Sequence, residues 1–164
     1  MKSIKLQSDI EIIEVEINEY GDKIKIAAGK ANTTTFDKFT SMCKKLIEKS
    51  EESARKEADI TDKYKEKNDT NAFYDKLQEL SSLEREFVEN ATRCIDEVFG
   101  EGTIKKYLRM FYEELEDFSP STTCIFDFIE QITPVMEEAF DQKSLFDKSK
   151  IKKYAPQDHR KKAK

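Results

Sequence analysis

The scarcity of glycine and proline constrains the fold of this chain more than any other feature of its sequence. The 164 residues include only four glycines and three prolines, where an average chain of this length would contain roughly 20. Because these residues build most tight turns, their scarcity argues against all-β sandwiches and glycine-rich nucleotide-binding folds. Charged residues make up 38% of the chain and hydrophobic residues 37%, which favours amphipathic elements around a modest core.

A segment near the N-terminus alternates between apolar and polar residues with the period of a β-strand. Three β-branched residues alternate with polar ones over residues 13–17, and two isoleucines alternate with lysines a few residues later. The pattern predicts a β-hairpin over about residues 11–28. A four-residue loop at 19–22 would pair Ile17 with Ile24. The same register would form two further pairs, Val15 with Ile26 and Glu16 with Lys25.

After the hairpin, apolar residues recur at spacings of three and four, which is the pattern of amphipathic helices. The first helix is expected to have Thr34 or Thr35 as its cap, and its stripe thins over residues 48–71. We expect that stretch to be solvent-exposed, protruding or partly disordered. The second stripe, from Phe73 to a helix stop at Gly100, predicts the best-defined core helix. Its members are Phe73, Leu77, Leu80, Phe87, Ala91, Cys94 and Val98.

Two further helices complete the predicted fold. A short third helix has Thr103 as its expected cap, and a long fourth helix has Ser121 or Thr122. Pro134 lies inside the fourth stripe and predicts a kink, or a restart capped by Thr133. The sequence therefore predicts a mainly α fold of the α+β class, in which an N-terminal β-hairpin is followed by about four amphipathic helices and a basic C-terminal tail.

Charge divides the chain into an acidic body and a basic tail. Residues 143–164 carry a net charge of +7, and residues 1–142 carry −12. We expect a single mostly helical domain over 1–142 and a flexible tail over 143–164. The acidic body opposes binding to nucleic acids and anionic membranes. The tail lacks the interleaved aromatic residues that stack on bases, so nucleic acid is not an expected partner.

Several features favour a cytoplasmic protein. The chain has no window of 18 apolar residues, so we expect no membrane span, and the residues after Met1 do not form a signal peptide pattern. Cys43, Cys94 and Cys124 are far apart and lie in apolar helical stripes. This placement favours buried thiols in a reduced compartment over disulfides or a metal site.

Residues suited to catalysis are scarce. The histidine, His159, lies five residues from the C-terminus in a lysine-rich segment, where a catalytic histidine would lack a fixed neighbour and a pocket. The segment GEGT at 100–103 resembles a phosphate-binding loop only superficially, because a predicted helix precedes it and no GK[ST] follows. We therefore predict no enzymatic activity, no cofactor and no metal.

Three short segments of the second half are informative through their order. They are IDEVFGEGT at 95–103, FDFIEQITP at 126–134 and KKY at 152–154. Together with a weaker similarity in the helix at 36–47, this order resembles the tail assembly chaperones of long-tailed, siphovirus-type phages and prophages of Gram-positive bacteria. The resemblance covers about residues 87–155.

The resemblance implies a non-enzymatic chaperone that binds the helical tape measure protein. Such a chaperone keeps this aggregation-prone partner soluble until the tail tube protein, a second implied partner, polymerises around it. We expect the last helix and the basic tail to bind the partner, and core packing is the alternative for the apolar residues. The predicted binding residues are Phe126, Phe128, Ile129, Ile132, Phe140, Lys148, Lys150, Lys152, Lys153 and Tyr154.

Two other functions are open on the sequence. The chain could be a structural minor tail or connector protein that stays in the virion and self-associates through the edges of its hairpin. It could also be a general helical adaptor for protein interactions, because amphipathic helices leave apolar grooves that suit other helices.

Overall fold

The hairpin and the helices follow one another in the predicted order. The computed structural model describes residues 11–28 and 32–140. Its elements are β1 (Glu11–Glu16), β2 (Lys23–Ala28), α1 (Thr34–Lys63), α2 (Thr70–Phe99), α3 (Thr103–Tyr107), α4 (Arg109–Glu114) and α5 (Thr122–Ala139). The predicted α+β class, an N-terminal hairpin followed by a mostly helical chain, is confirmed. The predicted tail at 143–164 lies outside the described residues.

β1 and β2 form an antiparallel hairpin whose register differs from the predicted one by two residues. Val15 lies opposite Ile24 rather than Ile26, and Ile17 donates its backbone N–H to the Asp22 carbonyl at 3.0 Å. A shift of two residues keeps every side chain on its predicted face, so the inner isoleucines still contact the helices. Three predicted pairs are wrong: Ile17 with Ile24, Val15 with Ile26, and Glu16 with Lys25.

The side chain of Asn18 accounts for this register. Its Oδ1 accepts hydrogen bonds from the backbone N–H groups of Tyr20 at 2.9 Å and Asp22 at 3.1 Å. Its Nδ2 donates to the Asp22 carboxylate at 2.6 Å and to the Lys106 carbonyl at 2.7 Å. Gly21 adopts a φ of +84°, which a residue without a Cβ adopts readily. One asparagine thus folds the loop and ties the hairpin to α3.

α1 and α2 have 30 residues each and pack along each other as a helical hairpin. The predicted caps of α1 are wrong, because Thr34 and Thr35 already lie in its first turn. The Asn32 side chain satisfies the exposed end instead, by accepting a hydrogen bond from the Thr34 N–H at 3.2 Å. Asn32, two residues before Thr34, therefore replaces the expected threonine as the side chain that caps the helix.

α2 has Asp69 as its N-terminal cap and Gly100 as its C-terminal cap. The Asp69 carboxylate accepts a hydrogen bond from the Ala72 N–H at 2.6 Å, as a helix N-cap does. The helix ends at Gly100, as predicted, and the φ of this residue is +113°. The positive φ explains why glycine stands at the stop.

The predicted third helix is divided in two. α3 and α4 meet at Leu108, which belongs to neither helix. The predicted cap residue Thr103 is the first residue of α3, and Gly102 with φ +81° precedes it as N-cap. The Asp96 carboxylate, at the end of α2, accepts hydrogen bonds from the N–H groups of Gly102 at 3.1 Å and Ile104 at 3.4 Å. A carboxylate from the preceding helix therefore caps α3.

α5 begins at one of its two predicted caps and runs through its proline. The Ser121 Oγ accepts a hydrogen bond from the Cys124 N–H at 3.4 Å. Pro134 lies inside the helix without a break, so a restart at Thr133 is wrong. Thr133 Oγ1 instead donates to the Ile129 carbonyl at 2.6 Å, which adds a bond beside the turn that the proline weakens.

The core lies where the inner face of the hairpin meets the first half of α1, the second half of α2, α3 and α5. Aromatic rings connect these elements. The ring centroid of Phe99 on α2 lies 6.2 Å from that of Phe39 on α1 and 5.7 Å from that of Phe128 on α5. The most deeply buried large side chains are Ile26, Phe39, Leu46, Ile95, Ile104, Ile125, Phe128, Ile129 and Met136.

Beyond the core, α1 and α2 continue side by side as an arm, which we define as residues 51–86. Of these described residues, Ala72 alone is buried. The expected exposure of this part of α1 is confirmed, and the helix is continuous to Lys63. The prediction that α2 is a core helix along its whole stripe is wrong for its first half, because Phe73 and Leu77 are exposed.

Candidate partner-binding surfaces

Four residues that were predicted to bind a partner lie in the core of this structure. Phe126, Phe128, Ile129 and Ile132 are all buried. The Phe126 ring packs against Phe87, with 5.8 Å between ring centroids. Core packing accounts for these side chains in this conformation, and their contact with a partner stays a prediction.

The remaining predicted binding residues are at the end of α5 or beyond it. Phe140 is half-buried, and its ring centroid lies 5.6 Å from that of Phe36 at the start of α1. The basic part of the prediction lies outside the described residues: Lys148, Lys150, Lys152, Lys153 and Tyr154.

The arm carries an exposed apolar strip, formed by Phe73, Tyr74 and Leu77 on the first two turns of α2. Their exposed fractions are 57%, 59% and 45%. The two rings are in edge-to-face contact, with 5.5 Å between centroids. Residues four apart lie on the same side of a helix, so Phe73 and Leu77 continue the stripe of Leu80 and Phe87. The apolar strip is therefore the part of this stripe that the core does not cover.

A groove begins at Leu80, one helical turn after the apolar strip, and reaches the body of the protein. It lies between α1 and α2 and is closed at one end by the start of α5, with a volume of about 290 Å³. Leu80 and Phe87 supply apolar surface, and the carboxylates of Glu57 and Glu84 stand at its sides. We call it the arm groove. Ser50 lies at its inner end, only 3% exposed, and its Oγ has no hydrogen-bond partner among the described residues.

The other side of the arm is occupied by its own ion pairs. Lys63 contacts Glu79 at 2.9 Å, and Lys56 contacts Glu52 at 3.1 Å. Hydrogen bonds from the Tyr64 hydroxyl and from Lys63 lower the pKa of Glu79. This side therefore carries lysines among its carboxylates, whereas the lining of the arm groove contains glutamates and neither lysine nor arginine.

A second exposed apolar area lies on α4 and the segment after it. Met110, Phe111 and Leu115 are exposed there. Phe111 stacks on Phe118 with 5.3 Å between centroids, and Tyr112 meets Phe118 edge-on at 4.9 Å. We call this area the α4 patch. The two aromatic residues of the apolar strip are more exposed than Phe111, which is 41% exposed.

Arg109 holds α4 against the loop of the hairpin. Its guanidinium contacts the Asp22 carboxylate at 3.0 Å and Glu113 at 2.8 Å, and it lies 4.3 Å from the centroid of the Tyr20 ring. Hydrogen bonds from Asn18 and then from Arg109 lower the pKa of Asp22 below its usual value. The same guanidinium lowers the pKa of Glu113. This cluster positions the hairpin against α4.

Few of the described side chains offer reactive chemistry. Burial raises the pKa of the Cys43 thiol, so the reactive thiolate form is disfavoured there. Cys43, Cys94 and Cys124 are free thiols. Residues 11–28 and 32–140 contain no cluster of three side chains that could hold a metal ion. In the same part of the chain, no helix combines the length and the apolar character needed to cross a bilayer.

The exposure of the apolar strip could have been inferred from the sequence, although not from the periodicity of α2 alone. The stripe of α2 looks like core from end to end. The stretch of α1 that must lie beside its first half, however, offers only Ala54, Ala58, Ile60 and Tyr64 as apolar residues. An apolar stripe without an apolar neighbour has to remain exposed or bind something else.

What the arm can do follows from its surface. It presents an uncovered apolar strip, a groove with carboxylates at its sides, and no assembled catalytic group among the residues described. These features suit the binding of another polypeptide, particularly a helix. In comparisons with known proteins, no family model, no curated protein and no solved structure matches the chain.

Proposed function

We propose that the chain is a tail assembly chaperone of a long-tailed phage or prophage, which binds the helical tape measure protein and keeps it soluble. The observation that carries this proposal is the apolar strip of Phe73, Tyr74 and Leu77, which the fold leaves uncovered at the end of an arm. The resemblance of residues 87–155 to such chaperones adds independent support and supplies the identity of the partner.

The physical demands on such a chaperone agree with this kind of surface. A tape measure protein waiting for its tail tube exposes apolar helix faces, and these aggregate unless another apolar surface covers them. The chaperone must later leave, so binding has to be reversible. A shallow strip at the rim of a groove provides moderate affinity, because it buries less apolar surface than a deep pocket does.

Co-expression with the tape measure protein encoded by the same tail module tests the proposal. We expect the soluble fraction of the tape measure protein to rise, and the two proteins to co-purify. An unrelated acidic helical protein, expressed at the same level, serves as the control for nonspecific effects of charge. An unchanged soluble fraction would refute the chaperone function.

One observation favours a second function, that of a structural tail or connector protein that remains in the virion. Among residues 11–28 and 32–140, β1 pairs with β2 and with no other strand, and Ile12 on β1 is 65% exposed. A free edge of this kind can pair with another subunit, although Glu11, Glu14 and Glu16 discourage close approach of two identical strands. Mass spectrometry of purified particles separates the functions, because only the structural protein would be present in them.

A further inference from the structure

The two sides of the arm differ in the cations they carry, because the lining of the arm groove contains neither lysine nor arginine. On the side away from the arm groove, Lys56 and Lys63 are each paired with a glutamate. Glu57 and Glu84, which stand beside the arm groove, form no ion pair within the part of the chain that the structure describes. Two unpaired carboxylates beside an apolar surface are complementary to a cation carried on an apolar stem.

The inner end of the arm groove also holds an unsatisfied polar group. Ser50 is 97% buried, and its Oγ has no partner among the described residues. A buried hydroxyl without a hydrogen bond costs free energy. A donor or acceptor from a bound partner would remove that cost if it entered the groove.

The apolar surface has the dimensions of a helix-binding site. Phe73, Leu77, Leu80 and Phe87 recur on one side of α2, with Glu84 between the last two. This alternation of four and three residues is the spacing by which two helices pack along each other. Phe87 itself is buried, so the accessible part runs from Phe73 to Glu84, about 17 Å along the axis, which equals roughly three turns of a partner helix.

We propose that the apolar strip and the arm groove together bind a basic amphipathic helix, whose apolar face covers Phe73, Leu77 and Leu80 and whose lysine or arginine side chains lie between Glu57 and Glu84. This proposal rests on the proposed function and deepens it, because it assigns the surface and states the chemistry of the partner segment. The net charge of −12 on residues 1–142 favours the same sign of partner at long range.

Two synthetic peptides test the proposal on the full chain. Both are helical and roughly three heptads long with leucine at the a and d positions, and they differ only in lysine or glutamate at the flanking positions. Fluorescence anisotropy is expected to show saturable binding of the lysine peptide that weakens with added salt. Absent binding of this peptide, or equal affinity for both, would overturn the proposal.

Two matched double variants test whether the lysine peptide binds in the arm groove. Glu57→Gln combined with Glu84→Gln is expected to weaken binding of the lysine peptide roughly two- to thirty-fold, the range of two partly exposed ion pairs. Glu101→Gln combined with Glu116→Gln removes the same charge from exposed positions elsewhere and should leave the affinity within about twofold. Equal losses in the two double variants would overturn the proposal, because they would show an effect of net charge alone.

A photo-crosslinking experiment identifies what occupies the arm groove. Ser81, an exposed residue beside the groove, is replaced with the photo-reactive amino acid benzoylphenylalanine. Crosslinking to the lysine peptide supports the proposal. Two results would overturn it. One is crosslinking to residues 143–164 of the same chain, or to a second copy, that saturating peptide does not reduce. The other is binding of the peptide without any crosslink to it.

The outcomes distinguish this proposal from the proposed function. If the wild-type chain solubilises the tape measure protein but does not bind the lysine peptide, the chaperone function stands and the assigned surface is refuted. If the peptide binds in the groove but the tape measure protein stays insoluble, the surface stands and the chaperone function is refuted.

Discussion

Asn18 shows how a single side chain can determine geometry that periodicity leaves open. The alternation of apolar residues assigned each strand residue to its correct face, but two registers satisfy that alternation equally well. The four hydrogen bonds of Asn18 select one of them. One of these bonds reaches Lys106, 88 positions away, so no local pattern in the sequence could predict it.

The ionisation of Asp22 makes stability depend on pH. Asn18 and Arg109 lower the pKa of Asp22 in the folded protein. Ionised Asp22 therefore stabilises the fold above the usual aspartate pKa of about 3.9, and this stabilisation is lost as the pH falls through the pKa of the folded state. We expect the difference in free energy of unfolding between the wild type and Asp22→Asn to shrink on acidification from about pH 5 to about pH 2. Urea denaturation at each pH measures it, and a difference independent of pH would contradict this cause.

The cap of α3 gives a second prediction for a single residue. Asp96→Ala removes the acceptor for the Gly102 and Ile104 N–H groups and should lower the free energy of unfolding by about 1 kcal/mol. Asp96→Asn is the matched control, because it retains one oxygen acceptor and should cost less. Chemical denaturation monitored by circular dichroism measures both. Equal stability of Asp96→Ala and the wild type would show that water replaces this cap without loss.

At the scale of elements, the existence and order of the helices were predictable because their apolar spacing is regular. The short breaks were less predictable: α3 and α4 divide at Leu108, and Pro134 does not interrupt α5. The burial of α2 was predictable only in its second half. A stripe shows which side of a helix is apolar, but the neighbouring element decides whether that side is covered.

The two halves of α2 should therefore respond differently to the same substitution. Phe87→Ala, in the buried half, should lower the free energy of unfolding by about 3–5 kcal/mol. Phe73→Ala, in the exposed half, should change it by no more than about 0.5 kcal/mol. Thermal or urea unfolding of the two variants gives the comparison, and a large loss for Phe73→Ala would show that the apolar strip is covered within the protein.

At the scale of the whole molecule, the core and the arm differ in how much apolar surface they leave exposed. Four of the residues predicted to bind a partner on α5 lie in the core, and the arm carries the exposed apolar strip. The sequence predicted the fold class, the exposed stretch of α1 and the acidic charge. It did not predict the apolar strip, because exposure of Phe73 and Leu77 depends on which part of α1 lies beside them.

The most direct test of the account asks whether the apolar strip is needed to keep the tape measure protein soluble. Phe73→Ser combined with Leu77→Ser removes the strip, and Met110→Ser combined with Leu115→Ser is the matched control on the α4 patch. Measurement of the soluble fraction of the co-expressed tape measure protein, with folding of each variant verified by circular dichroism, gives the answer. We predict that the strip variant loses most of the solubilising effect and that the control retains it. Full solubilisation by a folded strip variant would contradict the account.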